Sequence, residues 1–204
     1  PHTERLLEGA VDPARDPALL GLARCALLCN DARLHRTDAG DWVLSGDPTE
    51  GALVTLALKA GLTVHEETAA APRVDEIPFT SEQRFMATLH HDHRGHAFVL
   101  LKGAPETILP LCLSDAAGEP VDHAAWEARM QAAATSGERL LALARRELPD
   151  ASGMLTLDAI APGFTLLGIV GMLDPPRPEA ISAVAQCREA GIRTLMVTGD
   201  HAAT

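Results

Sequence analysis

The chain reads as an α+β protein, a twisted antiparallel sheet flanked by helices, followed by a short α/β tail. Three observations predict this. Apolar residues recur with period two between Val74 and Lys102, but at helical spacing in Pro17–Asn30. The run Asp174-Pro175-Pro176-Arg177-Pro178 makes a stiff joint. Beyond it the pattern changes to one helix and one strand, a single turn of a parallel α/β fold.

The elements follow in order. In Pro17–Asn30, Leu19, Ala23, Ala26 and Leu27 lie on one side of a helix. A polar loop comes next, and Trp42-Val43-Leu44 reads as a short strand. Asp47 is placed as an N-cap, Pro48 as the first helical residue and Glu50 as the return arm of a capping box. Gly61 is placed to end that helix. Strands are expected near Asp75–Phe79, Phe85–His91 and His96–Lys102, the last two joined across Asp92-His93-Arg94-Gly95. Pro105 starts a short helix, and Asp122 caps another running through Trp126 to about Ser136. Arg139–Arg146 and Thr165–Leu173 read as further strands. The tail has a helix over Pro178–Ala190, Gly191 as its cap, and a strand over Thr194–Val197 leading to Thr198-Gly199-Asp200. The expected division is 1–173, a hinge at 174–177, and a piece of a second domain at 178–204.

Composition narrows the function. Apolar residues make up 47% of the 204 and aromatics only 3%, so the core rests on Leu, Val, Ile and Ala. A formal net charge of -11 argues against a nucleic-acid partner, which needs clustered Lys and Arg. No stretch approaches the roughly 20 apolar residues of a membrane helix. The first residues are polar and acidic, without a signal-peptide pattern, and the chain starts without Met, so it reads as part of a larger protein. Cys25, Cys29, Cys112 and Cys187 form no C-x-x-C pair and are expected as free thiols in a reducing compartment.

Four segments carry candidate chemistry. Lys102-Gly103-Ala104-Pro105-Glu106 delivers a cation at a strand end, followed by a residue that permits close backbone approach. It also reads as a plain strand end, turn and helix start. In Pro78–Met86, Phe79 offers a ring face for a purine and Arg84 a planar fork for phosphate; alternatively, Phe79 and Phe85 are core residues at strand ends and Arg84 a solvated edge charge. Glu50 is either the capping arm or an acceptor for an adenine amino group. Arg139 opens an apolar strand, where it meets a phosphate or a carboxylate.

Together, in this order, Gly46–Ala52, Pro78–Met86, Lys102–Glu106 and Arg139–Ala144 resemble the nucleotide-binding domain of P-type ATPases. Gly168–Arg177 and Thr198-Gly199-Asp200 resemble that family's hinge and the start of the second segment of its phosphorylation domain. The resemblance spans Asn30 to Asp200 and is nearest the type-II branch of calcium and sodium/potassium pumps. It implies ATP as ligand. Phe79 would stack on adenine, Glu50 would bind its edge, and Lys102 would line the pocket bottom with Gly103 beside the ring. Arg84 stands where the family places a basic residue near the nucleotide, and Arg139 would contact ribose or phosphate. Asp174 and Arg177 would mark the hinge and approach the nucleotide in the closed pump. Thr198 and Gly199 would face the phosphoryl group only in the assembled phosphorylation domain. A charge reversal, Lys102→Glu, is expected to weaken binding while the fold survives.

The resemblance also implies what this chain lacks. The family's phosphorylated Asp lies in D-K-T-G-T and its magnesium site in T-G-D-G-x-N-D, and neither occurs here. Phosphoryl transfer needs an in-line nucleophile and a metal to offset charge. The implied role is therefore to present the γ-phosphate to an Asp outside the chain, with Mg²⁺ serving in the intact pump only. The implied partners are the phosphorylation, actuator and transmembrane domains, and the implied place is the cytoplasmic side of an integral membrane protein. Two alternatives stay open. His90-His91-Asp92-His93-Arg94-Gly95-His96 is rich in metal-ligand types, with His91, His93 and His96 able to share a hairpin. The α/β tail also suits a fragment of a haloacid-dehalogenase-like phosphatase.

Overall fold

The computed structural model describes residues 12–148, 154–174 and 177–195. Its elements are α1 (Pro17–Leu28), β1 (Arg33–Arg36), β2 (Trp42–Ser45), α2 (Pro48–Lys59), α3 (Val64–Ala70), β3 (Arg73–Ile77), β4 (Phe85–His91) and β5 (Ala97–Gly103). There follow α4 (Pro105–Ile108), β6 (Cys112–Asp115), α5 (His123–Thr135), β7 (Arg139–Leu148), β8 (Phe164–Met172) and α6 (Pro178–Glu189). One sheet has the order β3-β4-β5-β7-β8-β6, and β1 pairs with β2 in a separate two-stranded ribbon. The class is α+β, as the sequence predicts.

The described residues divide into two compact units. One holds the residues up to His123 and those from Leu141 to Val170; the other holds Ala124–Leu140 and the residues from Gly171 on.

Local chemistry explains the helices of the first unit. Asp16 accepts the Ala18 and Leu19 amides at 3.0 Å each, and Pro17 occupies the first turn of α1. Asp47 does the same for α2, taking the Thr49 amide at 2.8 Å and the Glu50 amide at 3.3 Å. At the other end Gly61 has φ +86°, and the Leu62 amide turns back to the Ala57 carbonyl at 3.1 Å.

The sheet uses both faces of its central strands, which explains why β4 and β5 are almost wholly buried. Alternation puts Met86, Phe98, Leu100 and Leu143 on one face, where they pack with Cys25, Ala26 and Leu28 of α1, Cys29 at its C-cap and Leu53 of α2. Ala87, Val99, Leu101 and Ala144 occupy the other face; Ile108, Cys112, Phe164 and Leu166 are buried as well. The thiols behave as small hydrophobes. Burial raises the Cys25 pKa well above its usual value and pushes Cys112 up to about 12. All four cysteines are free.

Several elements depart from the sequence expectations. Arg33–Arg36, expected as loop, is a strand, because it pairs with Trp42–Ser45 in register Arg36↔Trp42. Cys112–Asp115 is an unexpected strand that runs parallel to β8, so the sheet is mostly rather than wholly antiparallel. Helix α3 also has no strong apolar stripe, and its start is set by Thr63, which accepts the Glu66 amide.

The second unit contains α5, the beginning of β7, the end of β8 and α6. Helix α6 ends as expected, with Gly191 at φ +72° and the Ile192 amide bonded to the Cys187 carbonyl at 2.8 Å. The strand expected at Thr194–Val197 falls partly outside the described residues; Thr194 and Leu195 are not in a strand. No described helix is long and apolar enough to cross a membrane.

Candidate functional site

Strand registers bring four of the candidate residues to one end of the sheet. Phe85 is opposite Gly103 and Met86 opposite Lys102, where β4 begins and β5 ends. β3 ends at the same level, with Ile77 opposite Ala87, and Phe79 lies two residues further on. Its ring is 57% exposed, whereas the other three Phe residues are buried. An exposed ring at a strand end is available as a stacking surface.

Lys102 points to the sheet face covered by α1 and α2. Its ammonium donates to Glu50 Oε1 at 2.5 Å, and the two side chains are only 6% and 17% exposed. Burying an ammonium without a partner costs several kcal/mol, about enough to expel it or remove its charge. Glu50 is therefore the counter-ion that lets Lys102 stay inside. Its second oxygen accepts the Asp31 amide at 3.3 Å. The carboxylate expected as a capping arm is thus engaged across the fold, and Asp47 caps the helix.

The glycine at position 103 has a structural reason. A Cβ there would lie 2.7 Å from Phe85 Cα and 2.8 Å from Phe85 Cβ. The close approach it permits is that of β4. Arg84 is the only non-glycine residue with positive φ among those described, at +56°. Its carbonyl accepts the Ala104 amide at 3.0 Å, and its guanidinium donates to Glu106 Oε1 at 2.9 Å. Both side chains are more than half exposed, so this pair contributes about 0–1 kcal/mol and yields readily to a competing anion.

The remaining candidates belong to the second unit or fall outside the described residues. Arg139 is exposed at the start of β7, Asp174 is exposed after β8, and Arg177 is exposed just before α6, all in the second unit. Thr198 and Gly199 lie outside the described residues.

Two of the hairpin histidines, His90 and His96, are engaged by other groups. Asp92 accepts the amides of Arg94 and His96 at 2.8 and 2.9 Å and bonds His96 Nδ1 at 2.8 Å, which lowers its pKa to about 2. His90 faces inward: its Nδ1–H donates to the Ala71 carbonyl at 2.9 Å and Nε2 accepts from Thr88 Oγ1 at 2.8 Å. Among the described residues no group of three or more His, Cys, Asp or Glu is placed to hold a metal ion.

The family described as P-type ATPase, cytoplasmic domain N, matches residues 18–179. This chain belongs to that family. Its P-type relatives include the cation-transporting ATPase pma1 of Synechocystis, 41% identical over 98% of this chain and 22% of that protein. The probable cation-transporting ATPase F of Mycobacterium bovis is 41% identical over 86% of the chain and 20% of its own length. The calcium-transporting ATPase of Bacillus subtilis is 34% identical over 87% and 20%. The N domain described here thus spans about a fifth of the length of these curated relatives.

Sequence reasoning missed the residues behind this candidate site. Asn30, read as the last residue of α1, folds back after the helix has ended at Leu28. It is buried, and its side chain bonds Ala26, Ala32 and Glu50. Arg73 donates to the Leu28 and Asn30 carbonyls at 3.0 and 2.6 Å and to Asp31 Oδ1 at 2.7 Å. Neither role leaves a periodic signal; only the unusual sequence Asn30-Asp31 after an apolar helix hints at a side-chain cap.

Proposed function

We infer that this N domain binds ATP through its adenine, at the end of the sheet where β3 and β5 stop. The observation that carries this is the buried Lys102–Glu50 pair at the end of β5, on the end of the sheet where the exposed Phe79 follows β3. The ring supplies a stacking face. Glu50 supplies acceptor lone pairs for the adenine amino group, and Lys102 supplies ammonium N–H donors for ring nitrogens or phosphate. Arg84 can exchange Glu106 for a phosphate oxygen. Gly103 keeps the strands close, so that Lys102 and Phe79 stay at one level.

In the larger protein, the domain would present the γ-phosphate to an acceptor Asp outside this chain. The parent would be a P-type ATPase coupling ATP hydrolysis to cation transport, with Mg²⁺ offsetting charge at the phosphoryl group. Its phosphorylation, actuator and transmembrane domains would be partners of this one, on the cytoplasmic side of the membrane. The chain alone lacks the nucleophile and is expected to turn over no ATP. The ion carried is set by parts of the pump other than this domain.

Calorimetric titration with ATP tests the binding assignment. A Kd on the order of 0.1–1 mM is expected, about 4–5.5 kcal/mol, with little change on adding Mg²⁺. Phe79→Ala should weaken it about fivefold or more, the value of losing a stacked base, while circular dichroism stays the same. Unchanged affinity in Phe79→Ala would refute the site.

A further inference from the structure

We propose that Asn30 is the positioning residue of the nucleotide site, acting on ligand through Glu50 without touching it. This rests on the assignment of Glu50 to adenine binding. Both donors of the Asn30 side chain and one lone pair of its oxygen are used. One Nδ2 hydrogen goes to the Ala26 carbonyl at 2.9 Å and the other to the Glu50 carbonyl at 2.9 Å, while Oδ1 takes the Ala32 amide at 2.8 Å. Asn30 is 7% exposed, so these bonds do not exchange freely with water. The first caps the end of α1 and the second grips the first turn of α2. One planar amide therefore fixes the spacing between the two helices at the level of Glu50.

The neighbouring residue completes the device. The Asp31 amide donates to Glu50 Oε2 at 3.3 Å, and Lys102 holds Oε1 at 2.5 Å. Glu50 is thus set by its backbone through Asn30, and by its carboxylate through Asp31 and Lys102. The turn that carries Asn30 and Asp31 is itself pinned by the Arg73 guanidinium from β3. Loss of the Asn30 amide leaves the Ala26 carbonyl and the Ala32 amide without that partner and removes its hold on the Glu50 carbonyl. The first turn of α2 is then free to shift, and a side-chain site loses much of its value when misplaced by as little as about 1 Å.

A double-mutant cycle on the 204-residue chain reads this out, with ATP titrated calorimetrically at fixed pH and folding checked by circular dichroism. Wild type, Asn30→Ala, Glu50→Gln and the double variant are compared. Asn30→Ala should bind ATP about 3- to 10-fold more weakly, the loss expected for one buried hydrogen bond. In the Glu50→Gln background the same substitution should have no further effect, because the group it positions is already disabled. A merely structural Asn30 would lower the melting temperature equally in both backgrounds and leave affinity per folded molecule untouched, which overturns the proposal. Equal losses in both backgrounds also overturn it. If Glu50→Gln itself binds like wild type, the site assignment fails instead, and the proposal falls with it. Should Asn30→Ala not fold, Asn30→Ser, with one donor and one acceptor on a shorter arm, is read in the same cycle. Failure of both to fold makes Asn30 a folding residue and refutes the positioning role.

Discussion

Removing Glu50 should damage the N domain more than removing its partner Lys102. At 2.5 Å the gross attraction of the pair is about 7 kcal/mol for an effective dielectric constant near 20. Most of that offsets the cost of taking the ammonium out of water, since the Lys102 side chain is 6% exposed. Glu50→Ala leaves that cost uncompensated and should destabilise the fold by about 3–5 kcal/mol. Lys102→Met differs. The thioether fits beside Met86 and Leu143, its cross-strand neighbours. The carboxylate left behind is 17% exposed and still accepts the Asp31 amide. The expected loss is about 1–3 kcal/mol, smaller than for Glu50→Ala because the carboxylate keeps one hydrogen-bond donor and some contact with water. Combining the two should partly rescue: Glu50→Ala with Lys102→Met should be more stable than Glu50→Ala alone. Urea unfolding followed by circular dichroism measures all three. If the double variant is less stable than Glu50→Ala, or if Lys102→Met costs as much as Glu50→Ala, the ammonium is not the buried burden argued here.

Two further outcomes follow from the geometry. Burial lowers the His90 pKa from 6.5 to about 4, so the unfolded chain takes up its proton first as pH falls. Stability should therefore drop by about 3 kcal/mol between pH 6.5 and 4, and His90→Gln should flatten the urea midpoint across that window. Gly103→Ala places its Cβ 2.7 Å from Phe85 Cα, so β4 and β5 must part; a loss of about 1–3 kcal/mol is expected in thermal melts.

The legible part of the fold was the part written in local chemistry. Asp47-Pro48 and Gly61 bracket α2, and Asp92-His93-Arg94-Gly95 turns the β4–β5 hairpin, because each needs only residues close in sequence. Strand β1 was not legible, since Arg33-Leu34-His35-Arg36 is a strand only through its partner β2. Strand β6 depends likewise on β8, distant in sequence. The candidate site shows the same division. Residue types and their order singled out Phe79, Lys102 and Glu50, but the ion pair joining positions 50 and 102 is a tertiary fact. So is the reason for Gly103, which is strand packing. Lys102→Glu looks from the sequence like a charge reversal in an open pocket. In the fold it would set a second carboxylate against Glu50 in a nearly dry space, so the loss of binding would be confounded by loss of structure.

The ion pair also bears on how tightly an N domain of this kind can hold nucleotide. A lone ammonium in a pocket would attract phosphate strongly. Here its charge is already met by Glu50 at hydrogen-bond distance, and the pair as a whole is neutral. At the proposed site, ligand would therefore be recognised mainly through stacking on Phe79 and through the lone pairs and N–H groups that the pair leaves over. A carboxylate offers about four lone-pair sites and an ammonium three donors. Lys102 and the Asp31 amide occupy two of the four, and Glu50 occupies one of the three. Two acceptors and two donors remain, which suits an adenine edge that presents one amino group and adjacent ring nitrogens. Glu50 can thus act as counter-ion and ligand group at once, using different lone pairs for each. The affinity proposed for ATP is modest for the same reason: neutralising Lys102 stabilises the empty domain, and that part of the interaction is not available to the nucleotide.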